Sequence, residues 1–171
     1  MTGNPVRLLI VDDHEVVRVG LRLLLERRVG LEVVGEAESV ATAVEAASKC
    51  SPDVVIMDIR LPDGSGVEAC REIRARRPQT KVIMLTSYAD EDAVLAAILA
   101  GASGYLLKQI GSQALVDAIQ TVARGRSVLD PSVTEKVLER VRRMGTSAVD
   151  EQLSKLSAQE QRIVALIAEG K

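Results

Sequence analysis

Aromatic residues are almost missing from this chain: it has no Trp, no Phe, and only Tyr88 and Tyr105. Its core must therefore be aliphatic. Cysteine is nearly as scarce. Cys50 and Cys70 fall inside expected helices without C-x-x-C spacing, which supports neither a zinc site nor a disulfide framework and fits a reducing cytoplasm. No stretch approaches the roughly 20 apolar residues of a membrane span. Met1-Thr2-Gly3-Asn4-Pro5 also lacks a basic region leading into an apolar one, so a cytoplasmic protein with no membrane partner is expected. Excess charge is missing too: a net charge of -2 gives no global pull toward nucleic acid. With 47% hydrophobic and 27% charged residues, long disorder is disfavoured, and 171 residues suffice for one core plus a fragment.

What is present begins with Asp53-Val54-Val55-Ile56-Met57-Asp58, an apolar run that ends on a carboxylate and turns at Leu61-Pro62. Such a run suits a strand buried on both faces of a parallel sheet, and ligands bind outside the carboxyl ends of such strands. A lone Asp before a loop is more often a turn or cap residue. A second strand of the same design, Val6 to Val11, runs into Asp12-Asp13 and changes the balance. Carboxylates about 4 Å apart at an effective dielectric near 20 repel by on the order of 4 kcal/mol per pair, so a cation must share the site. Oxygen-only ligands suit Mg²⁺.

The rest of the chain alternates. A helix is expected from about His14 to Arg28, a strand over Glu32 to Glu36, and an alanine-rich helix after Ser39. Beyond the central strand come a helix over Val67 to Arg77 and a strand over Lys81 to Leu85 ending Thr86-Ser87. A helix opened by Asp90-Glu91-Asp92, a strand at Tyr105 to Leu107 ending at Lys108, and a helix from Ser112 to Arg124 follow. This implies an α/β, flavodoxin-like, doubly wound five-stranded parallel sheet of order 2-1-3-4-5, with Asp12, Asp13 and Asp58 meeting at the reversal of winding. Thr86 and Lys108 join them on the same rim.

These residues resemble a response-regulator receiver domain of bacterial two-component signalling. The match covers Asp12-Asp13-His14, Asp58 with Leu61-Pro62 and Gly66, Leu85-Thr86-Ser87, and Gly101-Ala102-Ser103-Gly104-Tyr105 into Lys108. The resemblance implies that Asp58 is the phosphoacceptor. Asp13, Asp58 and the main-chain carbonyl of Arg60 would hold Mg²⁺, with Asp12 helping through water. Lys108 would pair with Asp58 or its phosphoryl group, Thr86 would donate its hydroxyl, and Tyr105 would be the aromatic switch, moving inward on phosphorylation. A sensor histidine kinase is the implied donor, and a homodimer the implied phosphorylated form.

After Gly125 a helix is expected from Ser132 to Met144, with Val133, Val137, Val141 and Met144 along one side, either packed on the receiver or paired with a second chain. Lys136, Arg140, Arg142 and Arg143 interleave with Glu135 and Glu139, which reads as a solvated face with i,i+4 pairs. Gly145 to Asp150 reads as a polar linker. The stretch from Leu156 resembles the opening helix of a LuxR-type helix-turn-helix domain, with Ser157 and Glu160 as a capping box. The expected division is 1–125 receiver, 126–150 helical linker, and 151–171 the N-terminal fragment of a DNA-binding domain. The chain is thus similar to the NarL/FixJ class, and its Leu85 to Lys108 stretch resembles the DevR/DosR-like regulators of actinobacteria. Since it stops at Lys171, before a recognition helix, DNA contact is expected only through a full-length C-terminal domain.

Two rival readings are weaker. Gly64-Ser65-Gly66-Val67-Glu68-Ala69 matches a dinucleotide fingerprint, but Ile59 to Asp63 separate it from its strand. An aspartyl-phosphate phosphotransferase or phosphatase usually carries a second acid two residues after the nucleophile, and that position here is Arg60.

Overall fold

The structure is a computed structural model describing residues 3–87 and 90–143. The longer strands are β1 (Val6–Val11) and β3 (Val54–Met57), apolar except for Arg7, and β2 (Leu31–Ala37), where Glu32 and Glu36 interrupt the apolar residues. A two-residue pair follows, β4 (Arg60–Leu61) and β5 (Gly64–Ser65), and then β6 (Lys81–Thr86), β7 (Gly104–Leu107) and β8 (Val128–Leu129). The helices are α1 (Glu15–Glu26), α2 (Val40–Cys50), α3 (Gly66–Arg76), α4 (Glu91–Leu99), α5 (Ser112–Ala123) and α6 (Pro131–Arg143).

One parallel sheet runs β2-β1-β3-β6-β7-β8. Alternation along each strand divides the core in two. Leu9, Val11, Val55 and Met57 face α2, α3, α4 and α6, whereas Leu8, Ile10, Val54 and Ile56 face α1 and α5. Each such side chain taken from water contributes roughly 1.5 to 3 kcal/mol, which an aliphatic core can accumulate without aromatics.

The expected order of the five long strands holds, but five is an undercount. β8 adds a sixth strand at the edge, with Gly104 opposite Val128 and Tyr105 opposite Leu129. The Val128 amide donates to the Ser103 carbonyl at 2.9 Å and the Asp130 amide to that of Tyr105 at 3.0 Å. Two residues carry no readable period, and only the neighbouring strand gives them their conformation. The loop after Asp58 likewise folds into the β4–β5 antiparallel pair.

Asp130 then starts α6, accepting from the Ser132 amide at 3.0 Å, with Pro131 at the first helical position, where its missing N–H costs nothing. Val133 and Val137 are buried in the core that also holds Val94, Ala97 and Ile98 of α4. The helix therefore packs on its own receiver. On the solvated face of α6, the partners of two arginines lie on α4: Arg140 pairs with Asp92 at 2.6 Å and Arg143 with Glu91, the acids that open that helix. Met144, the polar linker and the Ser157–Glu160 capping box lie outside the described residues, as does Tyr88. Among the described residues no helix is long and apolar enough to cross a membrane.

Candidate functional site

β1 and β3 lie side by side with Val11 opposite Met57, and the Asp58 amide donates to the Val11 carbonyl at 2.9 Å. That register brings Asp12 and Asp58 together at the rim. Both are buried, at 2% and 6% exposure, while Asp13 and His14 are exposed. One ligand atom from each of Asp12, Asp13, His14 and Asp58 lies within 4.8 Å of the others.

Lys108 closes this cluster from the far side. Its amide donates to the Thr86 carbonyl at 2.8 Å, tying the ends of β6 and β7 together. Its Nζ reaches Asp12 Oδ2 at 2.7 Å and Asp58 Oδ2 at 3.2 Å. Burial pushes the Asp12 carboxyl up, but hydrogen bonds from Lys108 and the His14 amide, with the lysine charge, hold it below the usual range. Asp58 moves the other way: burial, reinforced by the charge of Asp12, raises it despite Lys108. Burial alone would lower Lys108, yet the two carboxylates raise it. The site thus keeps one firmly ionised acid, one firmly charged ammonium, and an Asp58 whose negative charge is costly without further cationic help.

Three carboxylates against one lysine leave a negative surplus, all on oxygen. This donor set fits a hard dication such as Mg²⁺ better than a thiophilic metal. Arg60 is exposed on β4, and its amide donates to the Asp58 carboxylate. Thr86 is buried at the end of β6, at 2% exposure. Tyr105 is already inside the core, and burial, with Asp90 and Asp58, raises its phenol to about 12. The expected inward movement of this ring therefore has little distance to cover from the conformation seen here.

His14 and Gly66, part of the motif but given no role by it, and Arg18 and Asp63, outside it, also shape this region. His14 Nδ1 lies 3.1 Å from both Asp12 Oδ1 and Asp13 Oδ1; its place after the acid pair was the available signal. Arg18 donates to the Asp12 carbonyl at 2.6 Å, six residues back, and is held there by Glu36 of β2. At Gly66 a Cβ would come within 2.0 Å of the Asp58 carbonyl oxygen. Asp63 bonds the first turn of α2. Outside the cluster, Cys70 Sγ faces the Ala100 carbonyl at 3.7 Å and burial raises its thiol to about 12, which leaves it inert.

A parallel sheet with an acid cluster at the switch point and a lysine bridging it defines a receiver. The response regulator receiver domain pattern matches residues 8–120, and the chain belongs to that family. It is 44% identical over 165 residues to the DNA-binding transcriptional activator DevR/DosR of Mycobacterium tuberculosis, covering 96% of this chain and 75% of that protein. It is 40% identical to the transcriptional regulatory protein LiaR of Bacillus subtilis over 97% of this chain and 78% of that one. Among solved structures, a LuxR-family two-component response regulator from Aurantimonas superposes with a TM-score of 0.75 at 36% identity, covering 80% of this chain and 98% of that chain.

Proposed function

We propose that Asp58 accepts a phosphoryl group from a sensor histidine kinase, and that the phosphorylated protein pairs with a second copy to control transcription through a C-terminal DNA-binding domain. The observation that carries this is the Lys108 ammonium bridging Asp12 and Asp58 at the carboxyl ends of neighbouring strands. In the transfer an Asp58 carboxylate oxygen forms the new bond to phosphorus while the bond from phosphorus to the donor imidazole nitrogen breaks. Phosphoryl transfer asks for alignment and charge neutralisation more than for covalent help. Lys108 supplies one positive charge, and the Thr86 hydroxyl donates to a phosphoryl oxygen. Asp13, Asp58 and the Arg60 carbonyl would hold Mg²⁺, with Asp12 acting through water; the ion would neutralise charge on the phosphoryl oxygens.

Tyr105 is assigned the switch role. Residues 1–125 are taken as the receiver, 126–150 as the linker and 151–171 as the start of the DNA-binding part, in a cytoplasmic protein. The phosphatase reading is set aside because position 60 offers a guanidinium where that chemistry wants a second acid.

Intact mass after exposure to a small phosphodonor tests the assignment. The wild type should gain one phosphoryl group only with Mg²⁺ present, and Asp58→Asn should gain none. Equal labelling of the Asn variant, or labelling indifferent to a chelator, overturns it, and multiple turnover of a metabolite phosphate would favour the phosphatase.

A further inference from the structure

We propose that Asp63 is a positioning residue for the cation site: its carboxylate, anchored on the N-terminus of α2, fixes the β4–β5 hairpin that carries the Arg60 carbonyl. The inference rests on the assignment of that carbonyl as a Mg²⁺ ligand. Asp63 lies at the turn of the hairpin, between Leu61 and Gly64, and its own side chain faces away from the acid cluster toward another element. Oδ1 accepts from the Val40 amide at 2.7 Å and Oδ2 from the Ala41 amide at 3.1 Å.

These bonds are not the ordinary cap of α2, because that cap is already present. Ser39 Oγ accepts from the Thr42 amide at 3.1 Å, and Thr42 Oγ1 accepts from the Ser39 amide at 3.0 Å. The Ala43 amide enters the helical ladder on the Ser39 carbonyl at 2.9 Å. Val40 and Ala41 are the first-turn donors this capping box does not serve, and Asp63 takes both. The two amides hold the carboxyl below its usual range, so the clamp is a carboxylate on two charge-assisted bonds at the positive end of a helix.

The hairpin needs such an anchor. Its ladder is two residues a side, Arg60 opposite Ser65 and Leu61 opposite Gly64, too short for independent stability. Leu61 buries its side chain in the core and the Gly66 amide bonds the Ile59 carbonyl at 2.7 Å, which secures the base. The tip is secured to α2 through Asp63. Mg²⁺ demands near-octahedral placement of its oxygens, so a ligand on a loosened hairpin binds less well. Loss of partners that orient ligands typically costs about 10- to 100-fold in metal affinity.

The test titrates MgCl₂ into the full chain, follows the amide resonances of the receiver, and records the urea midpoint of each variant. Asp63→Ala should weaken Mg²⁺ binding about 10-fold, the low end of that range, and Asp63→Asn, which keeps one carbonyl oxygen, should fall between it and the wild type. Ser39→Ala removes the other cap of the same helix without touching the hairpin, so it should lower the urea midpoint yet leave Mg²⁺ affinity at the wild-type value. If Asp63→Ala binds Mg²⁺ as the wild type does, or if Ser39→Ala weakens it equally, Asp63 merely caps α2 and the proposal fails. A wild type that shows no Mg²⁺ titration at all would instead overturn the cation assignment beneath it.

Discussion

At the scale of single residues the two buried acids should respond oppositely to substitution. Asp58 has a raised pKa, so its contribution to stability is full below the usual carboxylate range and is lost as pH rises through its folded value. At neutral pH without Mg²⁺ its charge is a burden, and Asp58→Asn should therefore raise the urea midpoint, the gain fading as pH falls into the carboxylate range. Asp12 has a lowered pKa; its contribution is present above the usual range and is lost as pH falls through the depressed value. Asp12→Asn should accordingly lower the midpoint at neutral pH. Two variants that shift the same way would show that the Lys108 bridge does not distinguish the two acids. Gly66 poses a steric question. A Cβ there would sit 2.0 Å from the Asp58 carbonyl oxygen and 2.9 Å from Met57 Cγ, and backbone cannot yield as a flexible side chain does. Gly66→Ala should cost roughly 3 kcal/mol and slow labelling of Asp58. Gly20, at an exposed position of α1 with open space where a Cβ would sit, is the control: Gly20→Ala should gain roughly 0.5 to 1 kcal/mol in the same urea experiment.

At the scale of elements, α6 separates what the chain announces from what only the fold decides. Its stripe of Val133, Val137 and Val141 is plain at helical spacing, yet an apolar stripe does not name its partner. The structure puts Val133 and Val137 into the receiver core beside α4. Val137→Asp should then cost roughly 3 kcal/mol or more of receiver stability by burying an unpaired charge, whatever the oligomeric state. Urea midpoints unchanged by this variant would show the helix undocked in solution. Arg140→Ala should cost no more than about 0.5 kcal/mol, because its pair with Asp92 is solvent-exposed and screened. The same contrast explains which parts of the site were legible. Asp12, Asp58, Thr86 and Lys108 each stand at or just past the end of an apolar strand, with Asp13 next to Asp12, and the sheet's winding then brings those ends together. β4, β5 and β8 were hidden because two residues show no period. Asp63 and the α4 acids act on elements far away in sequence, so their partners could not be read from local spacing.

At the scale of the molecule, α6 and the strand that leads to Lys108 share one packed interior. Tyr105 lies in the same core as Val133 and Val137, and Leu129 pairs across from it in the sheet. A close-packed interior transmits displacement instead of absorbing it, so a change in the position of the Tyr105 ring must be met by α6. Phosphorylation at Asp58 would set a dianion beside Lys108 and Thr86, recasting the ends of β6 and β7 through charge-assisted bonds. A ligand can shift an equilibrium only by its differential contacts with the two states, and one of those contacts, Lys108, directly follows β7, the strand that pairs with β8. Beryllofluoride with Mg²⁺ should therefore change hydrogen exchange of the α6 amides from Val133 to Val141. The amides of α1, on the opposite face of the sheet, should change less. If α6 exchange is unaltered while tyrosine emission responds, the switch stops at Tyr105 and the linker must be driven from another surface. If α1 and α6 change together, the mimic is tightening the whole fold and no directed path to the linker exists.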